Sequence, residues 1–193
     1  MAISSSQADP ELVVAVIGSA RLSPPDPRCD LAEQVGAAIA AEGWAVMTGG
    51  YGGLMEVTSR AAAQAGGRVI GLPMRGWSRL TPNPWNQELR WSDTYSERLA
   101  HLLAADAMVA VDGGIGTLSE AALAWAALQT EPDAVELIFL GAGWPPVLRS
   151  LAAHLVIDER DLARVTVCTD ARQAVARIAA SRRGRPQAAV PRG

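Results

Sequence analysis

The stretch with the clearest chemistry in this chain is Val109–Leu128, which reads V-A-V-D-G-G-I-G-T-L-S-E-A-A-L-A-W-A-A-L. Its apolar start, within Ala107–Val111, has the composition of a strand buried on both faces. Gly113, Gly114 and Gly116 follow, then Thr117, then a helix whose apolar residues Leu118, Ala121, Ala122, Trp125 and Leu128 recur at helical spacing. Strand, glycine turn and helix N-terminus in that order form an anion pocket. The glycines let backbone N–H groups approach a phosphate, and the unpaired first-turn donors and helix dipole favour negative charge. Thr117 adds a hydroxyl. Glu120 lies one turn in, beside whatever is bound, where the dipole should keep its carboxylate ionised. A plainer reading stays open: Thr117-x-x-Glu120 also spells a capping box, in which both side chains only satisfy the helix start.

Composition narrows the chemistry. The sequence has no lysine; all 17 of its cations are arginines. Schiff-base reactions, pyridoxal phosphate included, and a phosphate loop of the Walker type therefore lack their essential amine. His101, His154, Cys29 and Cys168 have no close-spaced partners, so neither a metal nor a cofactor is expected. Two cysteines do not make a disulfide scaffold, and a cytoplasmic setting is expected. No apolar run approaches the roughly twenty residues of a membrane helix. A net charge of −3 offers no field for nucleic acid. Met1–Pro10 lacks the layout of a secretory leader and is expected to be flexible. Arg182, Arg183, Arg185 and Arg192 mark residues 182–193 as a disordered basic tail, which leaves residues 11–181 as one domain.

The elements around the central turn can be taken in order. Leu12–Ile17 predicts a first strand ending in Gly18-Ser19-Ala20. A polar, proline-rich loop contains Asp26 as a turn residue and leads to Asp30, an N-cap with Glu33 three residues on. Leu31, Val35, Ala38 and Ile39 share one face of the helix that follows, and Gly43 stops it. Ala45–Thr48 is a second strand, emptying into Gly49-Gly50-Tyr51-Gly52-Gly53, a run that binds phosphate or simply turns the chain. A helix over Leu54–Gln64 and a strand over Arg68–Leu72 come next. Pro73–Ser92 has no periodicity but holds Trp77, Trp85 and Trp91 with Arg75, Arg79 and Arg90. Such a loop is a lid whose rings stack on a purine, or the cover of an apolar edge or subunit contact. Tyr95–Ala104 predicts a helix with Leu99, Leu102 and Leu103 inward and Ser92 or Asp93 as cap. After the central unit, Glu136–Leu140 and Val165–Cys168 read as strands, Pro145–Leu155 and Ala171–Ala180 as helices. This alternation implies an α/β fold with a mainly parallel sheet and helices on both faces. Ligands of such sheets bind beyond the carboxyl ends of the strands, near the point where strand order reverses. The turns at Gly18, Gly49–Gly53 and Gly113–Gly116 would converge there.

Four segments together resemble the LOG (Lonely Guy) phosphoribohydrolases, a family also labelled lysine decarboxylase-like, and the related molybdenum-cofactor carrier proteins. They are Gly18-Ser19-Ala20, the stretch from Thr48 to Pro73, Tyr95-Ser96-Glu97-Arg98, and D-G-G-I-G-T-L-S-E from Asp112 to Glu120. The family pattern P-G-G-x-G-T-x-x-E is met by Gly113, Gly114, Gly116, Thr117 and Glu120, with Asp112 in the proline's place. Arg98 matches a family arginine, while Leu99 replaces the lysine that follows it. The absent lysine is incompatible with decarboxylase chemistry.

The resemblance implies a Rossmann-like doubly wound domain, a homodimer or larger homo-oligomer, and hydrolysis of a nucleoside 5′-monophosphate to free base and ribose 5-phosphate. It implies catalytic roles for Arg98 and Glu120, with Glu120 stabilising an oxocarbenium-like sugar and orienting water, and Arg98 forking onto phosphate. It implies phosphate or substrate contacts from Gly18, Ser19, Gly49, Gly50, Gly52, Gly53, Gly113, Gly114, Gly116 and Thr117. Asp112 or a lid residue is a candidate to protonate the departing base, and Trp91 is a candidate lid contact. Met55-Glu56 and Leu118-Ser119-Glu120 lie closer to the carrier branch, which gives the alternative of a non-catalytic nucleotide or molybdenum-cofactor binder. Arg98 is otherwise a solvated helical arginine, and His101 a helix-surface or interface histidine.

Overall fold

The structure, a computed structural model, describes residues 11–131 and 135–183. Among the described residues seven strands form one sheet: β1 (Val13–Ile17), β2 (Ala45–Thr48), β3 (Val69–Gly71), β4 (Glu88–Leu89), β5 (Ala107–Val111), β6 (Glu136–Leu140) and β7 (Thr166–Cys168). All pair in parallel, in the order β4-β3-β2-β1-β5-β6-β7. The central strands are apolar along their whole length because both faces are covered. Successive side chains divide between two cores, as a period of two requires. Val14, Val16, Val109, Val111, Ile138 and Leu140 pack to one side. Ala15, Ile17, Met108, Ala110, Leu137 and Phe139 pack to the other.

Helices α1 (Pro27–Ala41), α2 (Leu54–Gln64) and α7 (Ala171–Arg183) cover the first face; α3 (Tyr95–Leu103), α4 (Ile115–Thr130) and α5 (Trp144–His154) cover the second. A one-turn helix, α6 (Glu159–Leu162), follows α5. Strand order reverses between β1 and β5, in register from Val14–Ala107 to Ile17–Ala110. The loops leaving these neighbours run to opposite faces and open the crevice where the fold places ligands. Among the described residues no helix is long and apolar enough to cross a membrane.

Several boundaries differ from the sequence reading, each for a local reason. Helix α1 is capped by Asp26, whose carboxylate accepts from the Arg28 N–H at 3.0 Å, and Pro27 takes the first helical position. Asp30 sits within the first turn instead of capping it. Helix α3 is capped by Thr94, which accepts from the Glu97 N–H at 3.2 Å, while Ser92 is buried in a bridge to Met74. The loop over residues 73–92 contains β4, too short to show a period. On α4, Ala122 faces outward; Ala121, Ala124, Trp125 and Leu128 are the buried residues. Helix α7 continues through Arg182, which pairs with Asp106 at 3.0 Å, into the stretch expected to be tail. Residues 1–10 and 184–193, expected to be flexible, lie outside the described residues.

Candidate functional site

The site is built around an ion pair that the fold assembles from residues 22 apart. Arg98 is the fourth residue of α3, and its side chain runs inward until the residue is only 5% exposed. Its Nε donates to the Leu72 carbonyl, just past β3, at 2.9 Å. Its Nη1 donates to Glu120 Oε1 on α4, also at 2.9 Å. Its Nη2 occupies the space that a side chain at Gly49 would need, so a Cβ there would displace Arg98 and Met55. The Trp77 ring lies over the guanidinium at 5.5 Å, between Tyr51 (5.8 Å) and Tyr95 (6.4 Å).

Glu120 is the sixth residue of α4, one turn deeper than the reading from sequence placed it, with a side chain only 11% exposed. The helix dipole has faded at that depth. Burial pushes its carboxyl above the ordinary glutamate range, and the charge and hydrogen bond of Arg98 offset only part of the rise. The capping-box reading does not describe this helix. Gly114 is the N-cap, without any side-chain cap bond, and Glu120 reaches Arg98 instead of the backbone.

One turn above Glu120 on the same face, the Thr117 residue is 3% exposed and its hydroxyl has no hydrogen-bond partner. It packs directly on Gly113. Gly116 has open space beside it, and Ile115 is 78% exposed at the mouth. The turn therefore combines a helix start without a side-chain cap, open space beside Gly116 and one buried hydroxyl without a partner among the described residues.

The glycine run after β2, Gly49–Gly53, is filled. Gly50 N–H donates to Thr48 Oγ1 at 3.0 Å, and the Thr48 and Ser59 hydroxyls share a hydrogen bond, 3.2 Å, in full burial. The Gly50 carbonyl accepts from the Asn83 N–H at 2.8 Å and from Asn86 Nδ2 at 3.0 Å. The Tyr51 carbonyl accepts from Asn83 Nδ2 at 2.9 Å. Gly52 turns toward Glu56. Gly53 has a φ of +70° and lies against Ser19 and Ala20, where a side chain would strike the backbone. The Ser19 carbonyl accepts from the Leu54 N–H at 2.9 Å, and Gly18 touches the Leu54 side chain.

Other sequence candidates stand apart from the pair. Asp112 turns to the loop after β6, where one carboxylate oxygen accepts from the Gly143 N–H at 2.9 Å. Trp91 stacks with Arg75, 5.7 Å away, and the ring over the ion pair is Trp77. His101 is a half-buried residue of the last turn of α3. Trp77 was legible as one of three lid tryptophans; nothing in its spacing distinguished it from Trp85 and Trp91.

Comparison with known proteins adds a family. The model of the SLOG cluster4 family matches residues 11–131. A cytokinin riboside 5′-monophosphate phosphoribohydrolase of Mycobacterium tuberculosis is 37% identical over 99 residues, covering 50% of this chain and 53% of that protein. The chain spans a little over half the length of the curated relatives it matches, 62% of one and 53% of the other. Two solved structures share the fold across nearly the whole chain. The molybdenum cofactor binding protein from Rippkaea orientalis has a TM-score of 0.73 at 22% identity, covering 90% of this chain and 99% of that one. The molybdenum cofactor carrier protein from Chlamydomonas reinhardtii has a TM-score of 0.69 at 24% identity, covering 89% and 98%.

Proposed function

Because the chain belongs to the SLOG cluster4 family, we propose that it binds a nucleoside 5′-monophosphate and hydrolyses its N-glycosidic bond, releasing free base and ribose 5-phosphate. The observation that carries this reading is the buried Arg98–Glu120 pair, 2.9 Å apart, one helical turn below a glycine turn open at Gly116. In this reading the phosphate sits on the first-turn N–H groups of α4 and the Thr117 hydroxyl, and that remote grip fixes the sugar over Glu120. As the base leaves with the bonding electrons and takes a proton from solvent water, the ionised Glu120 faces the cationic sugar carbon and accepts a proton from the attacking water. Arg98 acts through Glu120: with Nε on the Leu72 carbonyl and Nη1 on the carboxylate, it is a positioning residue and offsets part of what burial costs the ionised carboxyl. This differs from the fork onto phosphate that the family resemblance implies.

A second reading, a holder of a nucleotide or of the molybdenum cofactor without turnover, is favoured by Asp112. A leaving base needs a proton, and this carboxylate is committed to the Gly143 N–H. Incubating the full chain with AMP, CMP and isopentenyl-AMP and assaying free base separates the two. Hydrolysis predicts release that Glu120→Gln lowers by about 10²–10⁴-fold. Binding of these nucleotides with no release from any of them supports the holder.

A further inference from the structure

One arginine at the crevice belongs neither to the glycine motifs nor to the ion-pair network. Arg21, in the loop after β1, is exposed, and among the described residues it forms no ion pair. Its Nη2 lies 3.4 Å from the point where a side chain at Gly114 would begin, directly beside the N-cap of α4. The backbone of its loop is held in place: the Arg21 N–H donates to Ser19 Oγ at 3.2 Å, and the Ser19 carbonyl accepts from Leu54 N–H at 2.9 Å. In the same turn the buried Thr117 hydroxyl, without a partner among the described residues, packs against Gly113.

Charge shows what such a residue does. A phosphate monoester carries close to two negative charges at neutral pH. A helix N-terminus offers only about half a positive charge. The cation of Arg98 is already matched by Glu120. We propose that Arg21 supplies the missing full positive charge, closing over the phosphate from the β1 side and selecting phosphorylated ligands over free nucleosides. The guanidinium suits this role because its planar fork takes two phosphate oxygens at once. Because the side chain is exposed, its removal leaves the core untouched. The inference rests on the reading of the α4 turn as the phosphate seat.

Its test is calorimetric binding of ribose 5-phosphate and of inorganic phosphate to the full chain, to Arg21→Ala and to Arg21→Lys, with thermal melts alongside. Removing a charge-assisted contact of this kind is expected to weaken ribose 5-phosphate by about 10–100-fold. Arg21→Lys should retain part of that affinity, binding of unphosphorylated ribose or adenosine should not change, and the melting temperature should stay where it was. Wild-type affinity in Arg21→Ala, with weakened binding in Thr117→Val, would overturn the role of Arg21 and leave the seat standing. Failure of the wild-type chain to bind either phosphate probe would overturn the seat and Arg21 together.

Discussion

Two glycine runs leave the carboxyl ends of parallel strands in this molecule, and both lead into helices. The first, Gly49–Gly53, is occupied by the protein itself: Arg98 fills the space beside Gly49, asparagines 83 and 86 take the Gly50 and Tyr51 carbonyls, and Gly53 rests on the Ser19 loop. The second, Gly113–Gly116, is open at Gly116, with an uncapped helix start and a buried hydroxyl that has no partner among the described residues. Glycine run and topology are alike in the two; what occupies them is not. Buried polar atoms without a partner occur beside both, Asn86 Oδ1 at the first and the Thr117 hydroxyl at the second, but only the second has open space at a glycine of the helix start. One run is the frame that seats Arg98, the other the proposed seat for an anion.

The contrast can be broken by mutation. Glu120→Gln should give the largest effect, the loss of about two to four orders of magnitude in rate already stated, with substrate binding largely kept. Next is Gly53→Ala, in the filled run: a left-handed backbone and a collision with Ser19 and Ala20 should destabilise the fold by about 1–3 kcal/mol, read by denaturant unfolding. Gly116→Ala, in the open run, has open space beside it and sits within a helix, so it should leave stability unchanged or raise it by roughly 0.5–1 kcal/mol. Equal destabilisation by the two alanines would erase the distinction.

Thr117→Val sharpens it further. Removing an unpaired buried hydroxyl should leave stability equal or higher, while ribose 5-phosphate binding weakens by about 2–10-fold through the loss of one neutral hydrogen bond. A loss of stability together with unchanged binding would make Thr117 a packing residue.

The smallest effect is in pH dependence. The Glu120 carboxyl is raised in the folded chain, so the folded state favours its protonated form. That contribution is fully present below the unfolded value and is lost as pH rises through the folded one. Relative to Glu120→Gln, the wild type should therefore gain stability as pH is lowered from neutral toward 5. If Glu120 must be ionised for the reaction, the acid limb of kcat/KM should lie above the ordinary glutamate range. A limb at or below that range would contradict the burial.

The layered architecture was legible because the strands are short apolar runs with glycine or helix caps between them, and their alternation with helices admits few topologies. The glycine turn and Glu120 were legible from spacing, and Arg98 from its family segment. The pairing of Arg98 with Glu120 was not, since contact across 22 residues depends on where α3 crosses Leu72 and Gly49. Arg21 carried no signal at all; only the approach of the β1 loop to Gly114 reveals it. The caps of α1 and α3 were missed because more than one acidic or hydroxyl residue lay within reach of each helix start and local sequence alone does not choose among them.

The central claim is that α4 presents a phosphate seat above one inward carboxylate. A crystal structure of the full chain with AMP tests it most directly. The account predicts the phosphate within hydrogen-bond distance of the Gly116 and Thr117 amides and the Thr117 hydroxyl, with the sugar carbon bearing the base facing Glu120. A nucleotide bound elsewhere, or phosphate seated on Gly49–Gly53 with the α4 turn empty, would contradict it.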